Sequence, residues 1–436
     1  METAHGLKVT TKSAKVIENI DHFHDQIVSM GPSADQILTA VAENPDNLLL
    51  NSYAAAFYTY GQEDALSVTA SKYLNQAEKL LDSANLREKL MYQGIHAWHN
   101  KDYECALTIF TSLTQLFPRD TLAAKFAEWL FYCSGQKYYS HRYLALCEAM
   151  AKENQQDSHF LAMHSFALEL SGHMQDAQNM AEKAISLEKN TPWAHHTLAH
   201  IYLATERSTQ GIKILEQYRS TWDSIFSLVK GHNLWHLALF YLTNLQEQPV
   251  LTLYPEIFGP LPETPSAQID AISLLWRLDL AGMPQEEKLK KEYSLLAHHP
   301  FEQYTGFNSA HFIYCLARCG TTNEVNKALK SIENYAQSLP EGHYHNLWGT
   351  VTLPFCKGIQ AYANEDYDKA YNYFSPIQER YFLLGGSDAQ DDLFSQTYLN
   401  CLVKLHKDKE AHNYLASNLS YYKNTPLAEY WFSSKN

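Results

Sequence analysis

The sequence predicts an all-α fold, an α-solenoid or superhelix of tetratricopeptide-like antiparallel helix pairs. Three observations carry this expectation. Glycine (17) and proline (15) are sparse in 436 residues. Apolar residues recur at i, i+3, i+4 and i+7, with little of the alternation that strands require. Several segments also repeat one helix-pair signature in a fixed register.

A tetratricopeptide unit of about 34 residues wants a small residue at position 8, an aromatic at 11, Ala at 20, a bulky apolar residue at 24 and Pro near 32. The small residues let two helices approach, and the large ones fill the space between them. Residues 87–120 supply Gly94, Ala106, Phe110 and Pro118. Residues 158–191 supply Ser165, Ala177 and Ala184, and residues 192–225 supply Ala199, Tyr202, Gly211 and Leu215. Ala177 and Gly211 are 34 apart, the expected period. Near the C-terminus, Gly358, Ala370 and Phe374 repeat the pattern.

Between these units lie weaker helix pairs. The division expected is a helical cap with degenerate repeats (1–84), tetratricopeptide-like repeats (85–247), a proline-rich loop (248–266) and C-terminal helical repeats (267–436) continuing one superhelix. The loop rests on Pro249, Pro255, Pro260, Pro262 and Pro265, and reads as a long irregular connection, a candidate lid or brace.

Composition narrows the function classes. With 34 basic against 48 acidic residues the net charge is −14, which disfavours a phosphate-neutralising, nucleic-acid-binding surface. No run of about 18 apolar residues marks a membrane span. The start, METAHGLKVTTKSAK, lacks the apolar core of a secretory signal. The seven cysteines form no CxxC and read as reduced packing residues, so a cytoplasmic protein is expected. Cys315 and Cys319, four apart, read as helix-packing positions. No oligomeric state is specified.

The chemistry-bearing stretch is Pro192 to Tyr241. It contains WAHHTLAH (Trp193 to His200) and HNLWHLAL (His232 to Leu239). His196 and His200 are four apart, as are His232 and His236, so each pair shares a helix face. In the repeat register Trp193, His196, His200 and Leu203 face the concave groove. The next first helix brings His232, Trp235 and His236 to the adjoining surface. Helices in such arrays lie about 8–10 Å apart, close enough for imidazoles to converge on one ligand or on a divalent metal. No HExxH phrase, phosphate loop, dinucleotide fingerprint or GxSxG accompanies them, so no named enzyme class follows and no cofactor is specified.

Further groups are candidates to complete the site: Asp270, Asn308, His311 and His345. The run GGSDAQDD adds Gly385, Gly386, Ser387 and Gln390. The glycines permit a sharp turn, and Ser387 with Gln390 forms a capping-box pattern. Such a helix start can hold an anion, although Asp388, Asp391 and Asp392 already supply charge to the dipole.

AHHTLAHI, GHNLWHLALFYL, FNSAHFIYCLARCG, LPFCKGIQAY and PIQERYFLLGGSDAQ, in this order, resemble the tetratricopeptide repeat protein 38 family over about residues 85–425. The resemblance implies a tetratricopeptide superhelix without an assigned activity, and its phrases fall on the residues just named. This chain departs from it at Asp391, where the family has Arg, and at Leu237, where it has an aromatic. The expected function is a binding protein with a His/Trp-lined pocket for a small molecule or peptide. The alternatives are a histidine-dependent enzyme, metal-assisted or using general acid–base chemistry, and a structural scaffold.

Overall fold

The computed structural model describes residues 1–433. Helices fill the chain from Ala14–Ser29 to Pro426–Ser433, and the extended pairing among the described residues is a single bridge between Glu2 and Lys8. The expected all-α class of tetratricopeptide-like pairs is what is found. No described helix is long and apolar enough to cross a membrane.

Six of the pairs share one turn. Lys101, Gly172, Glu206, Leu245, Glu365 and His406 all adopt positive φ, each two residues before the second helix of its pair. The next residue donates its N–H to a carbonyl five residues back: Asp102 to Ala97, His173 to Leu168, Arg207 to Tyr202, Gln246 to Tyr241, Asp366 to Ala361 and Lys407 to Leu402, at 2.8–3.0 Å. This Schellman closure satisfies a carbonyl left over by the first helix. Where that residue is Asp, its carboxylate also opens the second helix: Asp102 accepts from Cys105 N and Asp366 from Lys369 N.

Glycine then sets the approach of paired helices. A Cβ on Gly94 would lie 2.7 Å from the Phe110 ring, and one on Gly358 would lie 2.4 Å from Phe374. Positions 8 and 24 of the sequence register therefore pack directly on each other. Gly211 does the same beneath Phe240, at 2.4 Å.

The chain forms two compact units. The first comprises residues 1–133, 139–198 and 220–229, and the second 134–138, 199–219 and 230–436. In the first, Leu48–Thr59 packs on Asp64–Glu78, Leu86–His99 on Tyr103–Leu116, and Ser158–Leu170 on Met174–Leu187. A buried ion pair, Arg87 to Asp120 at 2.8 Å, ties the start of the Leu86–His99 helix inward. In the second, Pro265–Leu280 packs on Gly306–Cys319 and Asp388–Lys404, and Leu353–Ala363 on Tyr367–Phe374.

The proline-rich stretch corrects the sequence expectation. Glu247–Phe258 is a helix, so the irregular part shrinks to residues 259–264. Pro249 stands in the first turn, where a missing N–H breaks no helical bond. Pro265 starts the following helix in the same way. All seven cysteines are free: Cys105 is exposed, Cys319 half-buried and the other five buried.

Two substitutions test these constraints in opposite directions. Gly94→Ala pushes on the Phe110 ring and is expected to cost about 1–3 kcal/mol. Glu206→Gly relieves a left-handed non-glycine residue and is expected to add up to about 1 kcal/mol. Urea denaturation checks both, with midpoints moving in opposite directions at unchanged slope.

Candidate functional site

The second unit gathers His200, His232 and His236. His200 lies on Pro192–Ala204, and His232, Trp235 and His236 on Ser227–Thr243. The His236 ring centroid is 4.8 Å from that of His200 and 4.8 Å from that of His232. His236 thus sits between the other two. Each outer ring is held by a carboxylate: His200 Nδ1 lies 2.9 Å from Asp388 Oδ1, and His232 Nδ1 lies 3.0 Å from Asp270 Oδ2. A carboxylate at Nδ1 keeps the proton there and turns Nε2 into the basic atom.

Depth varies along this row. His200, Trp235 and His236 are buried, whereas the side chains of His232 and Asp388 are 18% and 33% exposed. The expected open groove face is therefore mostly interior, because the start of the Asp388–Lys404 helix meets His200 and the Pro265–Leu280 helix covers Trp235. Burial, with the His200, His232 and Arg277 charges nearby, keeps His236 neutral well below the usual histidine range. Burial alone would raise Asp388, but the His200 imidazole and the Ala389 N–H outweigh it and hold this carboxyl below its ordinary value.

Arg277 lies seven residues after Asp270, on the same helix face. It is 2% exposed, and its Nη2 donates to the carbonyls of Ala389 (2.8 Å) and Gln390 (3.2 Å). Its guanidinium lies 5.4 Å from the Trp235 ring centre. Burial lowers its pKa against the pull of the Asp392 and Asp391 carboxylates. Asp391 is buried and pushed well above the carboxylate range, by desolvation first and by Asp388 and Asp392 second. Asp392 is raised by burial to about 7 despite the Tyr421 hydroxyl that donates to it.

The GGSDAQ run acts as a helix start. Gly385 and Gly386 have φ of 107° and 92°. Gln390 Oε1 accepts from Ser387 N at 3.1 Å, as the capping pattern predicts. A Cβ on Gly386 would meet the Phe307 ring at 2.9 Å and Asp391 Oδ1 at 3.2 Å.

The remaining candidates divide. His311 is fully buried, its Nδ1 2.8 Å from the Phe307 carbonyl and its ring against Phe307, Trp276 and Phe394. Asn308 serves the start of the same helix, where Thr305 Oγ1 accepts from Asn308 N. His345 makes a local contact to the Leu339 carbonyl. His196 and Trp193 belong to the first unit. There the two rings stack at 4.3 Å, and the indole donates to Glu128 at 2.6 Å in a network with Lys125 and Tyr143. His195, also in the first unit, accepts from Trp222 Nε1 at 3.1 Å and is a core residue.

The fold and its buried polar interior define an all-α protein of tetratricopeptide-like helix pairs. No family model matches the sequence. Among solved structures it is similar to a monomeric mutant of IFIT1 with Gppp-AAAA, at 13% identity and a TM-score of 0.42, covering 95% of this chain and 100% of that one. It is also similar to aspartyl phosphate phosphatase F from Bacillus subtilis, at 12% identity and a TM-score of 0.36, covering 94% and 95%. A third likeness is to the TPR domain of P58(IPK), at 12% identity and a TM-score of 0.23, covering 80% and 97%.

His311 provides a pH test. Burial lowers its pKa from 6.5 to about 3, so the unfolded chain takes up a proton first as the solution is acidified. The stability that neutral His311 contributes at pH 7 is lost as pH falls through that window, by about 2 kcal/mol at pH 5. His311→Phe is expected to lose less Tm than the wild type between pH 7 and pH 5, measured by circular dichroism.

Proposed function

We propose that this protein is a helical binding protein that holds a small polar molecule among His200, His232 and His236 of its second unit. The observation that carries this reading is the row Asp270–His232–His236–His200–Asp388. Three imidazoles in ring contact bring six polar nitrogens into a packed helical interior, a costly arrangement for structure alone. The two carboxylates orient the outer rings as partners orient imidazoles that meet a ligand. Only the rim residues His232, Asp270 and Asp388 reach solvent, which favours a small molecule over a peptide. The phrases shared with the tetratricopeptide repeat protein 38 family fall on these residues, and membership of that family and a cytoplasmic location form part of the proposal.

The carboxylate–imidazole pairs also favour a second reading, general acid–base catalysis on the same molecule. An imidazole held by a carboxylate at Nδ1 is set to take a proton at Nε2.

Protein purified without denaturation is expected to release one equivalent of a small molecule on unfolding, detected by mass spectrometry. His236→Gln is expected to release less than a tenth of that amount. Equal release from the variant, or one equivalent of zinc in its place, overturns the reading. Under the catalytic reading, Asp388→Asn keeps the molecule bound but converts it at least about 100-fold more slowly.

A further inference from the structure

The polar groups around Arg277 outnumber their partners. A guanidinium carries five N–H donors. Nη2 uses its pair on the Ala389 and Gln390 carbonyls, while Nε and Nη1 make no hydrogen bond among the described residues. The same is true of the indole N–H of Trp235, whose ring the guanidinium faces, and of both Asp391 carboxylate oxygens. All are enclosed: Asp391 belongs to the first turn of the Asp388–Lys404 helix, Arg277 is seated on that turn, and Trp235 lies against Arg277. Buried donors in this density mark a place where a bound group completes the structure.

Resting on the binding role proposed above, we infer that the ligand is an oxyanion, a carboxylate or a phosphate, and that Arg277 is its charge partner. The set is rich in donors, and among the described residues its cation has no carboxylate within hydrogen-bonding distance. The acidic residues of the turn do not compete for that role. Asp388 is engaged by His200 and Asp392 by Tyr421, and burial pushes Asp391 well above the ordinary carboxylate range, which weakens its negative charge. The negative charge expected at this helix start is thus largely answered or weakened. Access lies on the side of Asp388, the exposed member of the turn.

Thermal denaturation of the full chain at constant ionic strength tests this with inorganic phosphate, acetate and chloride as probes. Phosphate or acetate is expected to raise Tm by at least about 2 °C over chloride, and the more effective of the two names the class. Arg277→Gln is expected to abolish the rise and Arg277→Lys to keep part of it. Should either variant fail to fold, the indole resonance of Trp235, assigned through Trp235→Phe, is followed in the 15N-labelled wild type. Its shift on adding phosphate or acetate, and not chloride, supports the site. Absence of both the Tm rise and the indole shift overturns the inference, as does a rise unchanged in folded Arg277→Gln. If the molecule released on unfolding is uncharged and neither anion displaces it, the oxyanion class falls while the binding role stands.

Discussion

A helix that ends must dispose of its last carbonyls, and the first helices of six pairs in this chain dispose of them in one way. The left-handed residue and the five-residue-back hydrogen bond close the first helix and put the next residue in place to open the second. At most of these turns the left-handed residue is Lys, Glu, Leu or His, at a backbone cost that glycine would avoid. The helices accept that cost because the turn returns the chain at close range, with Gly94 under Phe110 and Gly358 under Phe374. The layers on which each side chain stands follow from that geometry.

The second unit spends part of the resulting stability on buried polarity. Arg277 reaches from the Pro265–Leu280 helix to two carbonyls in the first turn of Asp388–Lys404, fixing where that turn lies. The turn in turn presents Asp388 to His200. Gly386, with no side chain, leaves room for Phe307 and Asp391 beneath the same turn. One cation, one glycine and one carboxylate thereby determine the orientation of an imidazole almost two hundred residues earlier in sequence.

Much of the fold was legible because its signals are local. Gly94 with Phe110, Gly358 with Phe374 and the helix start at Ser387 stand at short, fixed spacings. Register and helix spacing put His196, His200, His232 and His236 on successive first helices, and of these the rings of His200, His232 and His236 meet within the second unit. Arg277 and the His200–Asp388 pair were not legible as site features, since they depend on the packing of remote helices. A hint existed in AISLLWRLDL, where one arginine interrupts an apolar run with no acid three or four residues away. The proline-rich stretch misled because only one of its five prolines, Pro255, stands in a helix interior, and it does so within the last turn of Glu247–Phe258. Pro249 and Pro265 stand in first turns, where the missing N–H costs nothing.

The thiols have a practical consequence. Each unit carries one reachable sulfur, Cys105 in the first and Cys319 in the second, and the other five are enclosed. They also differ in reactivity. Cys319 is held below the usual thiol range by Cys315, whereas burial and Asp102 push Cys105 up. A limiting amount of alkylating reagent therefore marks Cys319 before Cys105, and a second reagent marks the other. The natural chain thus accepts a donor and an acceptor dye in order, and energy transfer between them would read the separation of its two units in solution.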